Sequence, residues 1–183
     1  MVYKDIIYKC LKNDVIAQEQ LYKMLAPKMF SICLKYSRNY TEAQDNLQDG
    51  FILLFTKLNT FAFKGSFEGW AKRLFINNIL QTYRSPGVLE IVSDELPEMV
   101  EVEVLDQENI PLDYLLKIVQ DLPNQYRLVF NLYVFEDYSH KEIAELLNIS
   151  TGTSKSNLAR ARLILKEKVE SYQNNNLLLT VNE

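Results

Sequence analysis

The sequence predicts an all-α protein: two helical domains joined by an acidic linker, the second domain a helix-turn-helix. Three observations carry this. Glycine and proline are sparse, at five each in 183 residues, while hydrophobic residues make up 48% of the chain, a globular composition. Apolar residues recur at helical spacing along most of the length, whereas period-two alternation appears only weakly, at Glu98–Val104. The stretch Ser139–Arg162, SHKEIAELLNISTGTSKSNLARAR, reads as two short helices joined by a tight turn.

The elements follow in order. Tyr3–Lys12 and about Val15–Leu25 read as short amphipathic helices. Pro27 suits the first turn of a third, running to about Tyr36, because its missing N–H has no intrahelical partner there anyway. Thr41 with Gln44 forms a capping box and opens a helix to about Lys57. Ala62–Gly65 is a loop, and Ser66 caps a helix to about Tyr83. Ser85-Pro86-Gly87 closes the first domain, residues 1–84. Residues 85–110 form the linker and residues 111–172 the second domain. Residues 173–183, with an Asn run and Leu177-Leu178-Leu179, form a flexible tail.

Two helices sort their faces cleanly at 3.6 residues per turn. On the helix opened by Thr41, the residues Ala43, Leu47, Phe51, Leu54 and Leu58 share one side, a core face. Asp45, Gln48, Asp49 and Ile52 share the other, an outward face that is acidic and amide-bearing with an exposed isoleucine. In the helix-turn-helix, Ser139 and Glu142 form a capping box. Asn148-Ile149-Ser150 breaks that helix, and Ser150 or Thr151 caps the next. There Ser154, Leu158, Ala161 and Leu165 face inward, while Ser156, Ala159 and Arg160 face outward with Lys155 at their flank. A helix that enters a DNA major groove needs small residues for close approach and polar groups that reach base edges.

Charge is segregated. The formal net charge is −4, which is unlike a nucleic-acid binder. Yet no basic residue lies between Arg84 and Lys117, a stretch that holds nine acids. Setting those nine aside leaves 20 basic against 15 acidic side chains. Ser150–Lys168 carries five basic residues and one acid, a local positive field of the kind phosphate binding requires.

Other classes find little support. No apolar run approaches the length of a membrane span, and no signal peptide is visible. Cys10 and Cys33 sit on apolar helical patterns and read as buried free thiols of a reducing cytoplasm. His140 falls in a helix first turn and is expected to be exposed. There is no metal-ligand cluster, no phosphate-cradling glycine loop and no nucleophile with a base partner. No catalytic residue, metal or cofactor is therefore expected.

The residues carry a family resemblance. Asp121–Leu165 holds Leu-Pro, then Tyr-Arg, an apolar helix, S-x-K-E-I-A, G-T-x-K-S and A-R-A-R. It resembles the C-terminal DNA-binding domain of bacterial sigma factors, specifically the small extracytoplasmic-function group of the sigma-70 family. The first domain resembles that family's other conserved domain, through A-x-D-x-x-Q-D-x-F-I, a G-S-F-x-x-W turn and a helix carrying R-x-x-x-N. The resemblance implies a cytoplasmic initiation subunit that binds core RNA polymerase and promoter DNA, restrained by an anti-sigma factor.

Site residues follow from the same resemblance. It implies that Thr153, Lys155, Ser156, Ala159, Arg160 and Arg162 contact the upstream promoter element. It implies that the turn at Phe63–Phe67 holds a flipped base of the downstream element, served by Lys64, Ser66, Phe67, Lys72, Arg73, Asn77 and Arg84. It implies that Asp45, Gln48, Asp49 and Ile52 dock on the clamp helices of the polymerase. This chain departs from the family where Gln44 replaces a frequent Glu, and where Ser85-Pro86-Gly87 replaces a basic cluster. A helix-turn-helix regulator that does not bind polymerase is the competing reading, and the first-domain motif weighs against it.

Overall fold

The computed structural model describes residues 3–83 and 110–180, and every regular element among them is helical. The chain divides into two compact units, Met1–Thr82 and Tyr83–Glu183. Arg84 and nearly all of the expected acidic linker, with its weak period-two stretch, lie outside the described residues.

In the first unit α1 spans Lys4–Cys10 and α2 Val15–Tyr36. The Asp14 carboxylate starts α2 by accepting from the N–H groups of Ile16 (3.0 Å) and Ala17 (3.1 Å). Pro27 does not begin a third helix, as expected from the sequence, but lies inside α2. Its ring is exposed, so solvent can serve the Lys23 carbonyl that the missing N–H leaves unpaired. The buried stripe of Leu21, Leu25, Met29, Ile32 and Cys33 runs past it unbroken, and that packing outweighs the proline's local cost. Cys10 and Cys33 are buried and unbridged, and burial pushes the Cys33 thiol up to about 12.

Helix α3 spans Tyr40–Lys57, ending in a 3-10 turn at Leu58–Thr60, and α4 spans Phe67–Tyr83. The N-cap of α3 is Asn39, not Thr41: its side-chain oxygen accepts from the Glu42 N–H at 2.9 Å. An asparagine two residues earlier satisfies the orphan donor first, so Thr41 falls inside the helix. Ser66 caps α4 as expected, its hydroxyl 3.3 Å from the Gly69 amide.

The second unit holds α5 (Leu112–Gln120), α6 (Asn124–Val134), α7 (His140–Leu147) and α8 (Thr151–Thr180). Helix α8 packs against α5, α6 and α7. Leu122, Tyr126 and Ala161 form part of the core, with Phe130, Ile164 and Leu165 packed on them. Arg127 is buried, and its guanidinium donates to the carbonyls of Gln120 (3.0 Å) and Leu122 (2.9 Å) and to Asn124 Oδ1 (2.7 Å). It thereby ties the α5–α6 turn to α6. Helix α8 continues through Thr180, past Gln173 where the sequence reading begins a tail. Neither glycine nor proline occurs there to stop it.

Candidate nucleic-acid interface

The α7–α8 turn is locally dictated. Ser139 and Glu142 make the full capping box, with the Ser139 amide 2.8 Å from Glu142 Oε2. Asn148 ends α7 in the left-handed region, φ 55°, a conformation asparagine tolerates. Ser150, rather than Thr151, then caps α8 by accepting from the Thr153 amide at 2.9 Å. Ile143 and Leu147 are buried under this turn and fix α7 against the core.

Helix α8 buries Ser154, Leu158 and Ala161, as its periodicity predicts, and also Asn157. The Asn157 amide donates to Gln125 Oε1 at 3.2 Å, so α6 holds it in place. This rotates the outward stripe towards Lys155 and Arg162, which are exposed and two turns apart. Thr153, Ser156, Ala159 and Arg160 are half-buried along the edge of that stripe. Arg160 reaches back, Nη1 donating to the Tyr126 hydroxyl at 3.3 Å. The Ser156 hydroxyl donates to the Thr153 carbonyl at 3.0 Å.

Against the expectation of an exposed side chain, His140 is half-buried. Its ring stacks on Tyr133, centroids 4.7 Å apart, and Nδ1 is 3.0 Å from Ser154 Oγ. Arg162 lies over the other partner of that stack, 5.8 Å from the Tyr133 centroid. Burial, then the cations of Lys155 and Arg162, hold the imidazole below its usual pKa. The neutral ring therefore sits under the basic stripe without adding to its charge.

In the first unit, Asp45, Gln48, Asp49 and Ile52 are all exposed on α3, with Ile52 60% accessible. Ala43, Phe51, Leu54 and Leu58 are buried, but Leu47 is only half-buried. Asn46 and Gly50 are buried in its stead. Asn46 Nδ2 donates to Ser37 Oγ at 2.9 Å, a buried polar pair that closes the α2–α3 corner. A Cβ at Gly50 would overlap the ring of Phe75 on α4, so only glycine lets the two helices approach this closely. An open groove of about 470 Å³ follows, lined by Asp49, Ile52 and Thr56 of α3 and Asn78, Gln81 and Thr82 of α4.

The loop before α4 encloses a smaller cavity of about 200 Å³. Phe61, Phe63, Gly65, Ser66 and Phe67 supply one side; Tyr3, the N-cap of α1, supplies the other with Lys4 and Ile7 of that helix. Phe63 and Gly65 both have positive φ, 56° and 87°, which folds the loop sharply over the cavity. Lys64, Arg73 and Asn77 are exposed and Lys72 is half-buried. Asn77, expected to border the flipped-base pocket, does not line this cavity. Trp70 is half-buried, stacked on Phe67 at 5.5 Å and beside Phe61 at 5.4 Å. Tyr3, Lys4 and Ile7 were not legible from sequence, because nothing in helical spacing says which loop a helix end will meet.

Among the described residues no group of histidine, cysteine and carboxylate side chains could hold a metal ion, and no helix is long and apolar enough to cross a membrane. The family model described as Sigma-70 region 2 matches residues 21–87, and that described as Sigma-70, region 4 matches residues 112–165. The ECF RNA polymerase sigma factor SigW of Bacillus subtilis is 28% identical, the alignment covering 92% of this chain and 97% of that protein. SigE of Mycolicibacterium smegmatis, also an ECF RNA polymerase sigma factor, is 27% identical over 84% of this chain, which spans 62% of that protein. The fold is similar to that of the sigma factor RpoE, solved in complex with the anti-sigma factor NepR from Bartonella quintana. That likeness has a TM-score of 0.52 at 19% identity and covers 83% of this chain and 96% of that one.

Proposed function

We propose that this chain, which belongs to the sigma-70 family and to its extracytoplasmic-function group, is a dissociable subunit that binds core RNA polymerase and directs it to promoters. The observation that carries the reading is the pairing, in one chain, of two outward surfaces of opposite character. The α3 face of Asp45, Gln48, Asp49 and Ile52 is exposed and acidic, and suits a basic protein partner. The α8 stripe of Lys155 and Arg162, edged by Thr153, Ser156, Ala159 and Arg160, suits the major groove and its phosphates. A stand-alone regulator needs only the second surface.

The loop cavity has a place in this scheme. It is smaller than the roughly 300–1,000 Å³ usual for drug-sized ligands, and its aromatic lining suits one unstacked base of the downstream element. In this reading Lys64, Lys72 and Arg73 neutralise the phosphates around it and Ser66 and Phe67 line it, while Asn77 is not part of the lining; Arg84, which belongs to the same expected set, lies outside the described residues. The chain acts by binding rather than by catalysis, in the cytoplasm, and an anti-sigma factor is its expected restraint. Between the two units, the carboxylates of the 85–110 segment imitate phosphates in a basic polymerase channel. The test is co-purification with core polymerase followed by run-off transcription from a promoter panel. Failure to bind core polymerase, with specific DNA binding retained, would move the chain to the regulator class.

A further inference from the structure

Helix α1 lies outside both matched regions, which begin at residues 21 and 112. Nonetheless its N-cap Tyr3 and its first-turn residues Lys4 and Ile7 wall the loop cavity. The contact is built, not incidental. The Tyr3 hydroxyl donates to Glu68 Oε1 at 2.5 Å, and Lys28 of α2 grips both oxygens of the same carboxylate at 2.7 Å. The Tyr3 ring lies against Phe67 at 5.2 Å, and one turn on, Tyr8 stacks on Phe63 at 5.3 Å. Burial and the Glu68 bond push the Tyr3 phenol up to about 12, so it stays a neutral donor at any working pH. Lys4, at the cavity mouth, is exposed.

From this we infer that α1 is a working part of the downstream-element pocket: Tyr3 is a stacking wall for the extruded base, and Lys4 is the cation for its nucleotide's phosphate. The inference rests on the reading that the loop cavity takes a base. An aromatic ring held by Glu68 and Lys28 is pre-set in orientation, so little freedom is lost when a base stacks on it. Lys4 is a point charge with three donors and no acceptor, which suits phosphate rather than base readout. The loop alone leaves one side of the cavity open; α1 closes it.

The experiment uses the full chain with core polymerase and single-stranded DNA carrying a downstream element selected from a randomised pool. An abasic site is scanned through that element. Wild-type protein should show one position at which base loss weakens binding strongly. Tyr3→Ala should erase that position's contribution, about a tenfold loss or more by the usual worth of base–aromatic stacking. Tyr3→Phe keeps the ring and should retain it within about twofold. Lys4→Ala should weaken binding at every sequence and flatten its salt dependence by about one phosphate. Because Lys4 is exposed, that variant keeps the test alive if Tyr3→Ala fails to fold. If the position persists in Tyr3→Ala and the salt slope persists in Lys4→Ala, while Phe63→Ala abolishes the position, α1 has no such role. If wild type shows no such position, or Phe63→Ala spares it, the base-pocket reading itself falls.

Discussion

Gly50→Ala sets two physical effects against each other, and the structure decides the sign. Gly50 lies inside α3, where alanine is favoured over glycine by about 1 kcal/mol. On propensity alone the change stabilises. A Cβ at Gly50, however, falls on the ring of Phe75, which is fully buried. That ring cannot simply swing away, because Phe51 meets it edge-on at 5.3 Å and 84°. Overpacking of this kind costs about 1–3 kcal/mol, sometimes more, and a pinned ring puts it in the upper part of that range. The net expectation is destabilisation of the first unit by about 1–2 kcal/mol. For a unit of this size each kcal/mol lowers Tm by about 4–8 °C. Trp70 is the sole tryptophan and lies in the first unit, so its fluorescence during urea unfolding follows that unit. Phe75→Leu should cost stability by itself but much less in the Gly50→Ala background, the coupling expected of groups in contact. A higher urea midpoint for Gly50→Ala, or strict additivity with Phe75→Leu, would refute the close-approach argument.

The other expectations concern function. Changing Asp45, Gln48 and Asp49 together to alanine should abolish core-polymerase binding at a stability cost within about 0.5 kcal/mol each, since all three are exposed; retained affinity in a pull-down would remove the α3 face from the interface. Arg160→Ala should lose about 1–3 kcal/mol of selectivity at one or two base pairs, while Arg162→Ala should weaken all sequences alike, with Lys155→Ala sharing both signs; promoter-variant binding across a salt series separates them. The His140 pKa is lowered in the fold, so its contribution to stability is intact above its ordinary value of about 6.5 and is lost as pH falls below it. Thermal melts from pH 7.5 to 5.5 should therefore show a decline that His140→Gln flattens. Replacing Glu98, Glu101, Glu103 and Asp106 by the amides should weaken polymerase assembly and raise non-specific DNA binding by the free chain, both effects fading with salt; unchanged binding in both assays would leave the segment a passive tether.

Much of the fold was legible because its helices are amphipathic and capped by local chemistry. Ser66 and Ser139 each announce a helix with a side chain that reaches only three residues, and such signals survive tertiary packing. The misreadings share a cause: a local rule was outvoted by something nearby or distant. Pro27 is a good first-turn residue, but the stripe from Leu21 to Cys33 needs one continuous helix. Thr41 and Gln44 match a capping box, but Asn39 captures the Glu42 amide two residues earlier. Leu47 matches the core period, but the close approach at Gly50 turns the buried stripe towards Asn46.

The same reasoning explains what was missed at the interface. Helical periodicity ranks positions around an axis, and it places Arg160 outward because Arg160 lies opposite Leu158. It cannot say how wide the buried arc is. Asn157, a polar residue, is drawn into that arc by Gln125 on α6, a partner 32 positions away in the chain. The arc therefore widens on one side, Arg160 is brought to its border against Tyr126, and Arg162 with Lys155 becomes the crest. We propose that a guanidinium held at the border, with a bond to the Tyr126 hydroxyl, approaches DNA from a restricted set of directions, which would favour base readout over general phosphate attraction. On the same proposal Arg162, exposed on the crest with its guanidinium over the Tyr133 ring, serves the phosphate backbone. The division of labour proposed for Arg160 and Arg162 would thus rest on the burial of Asn157 against Gln125.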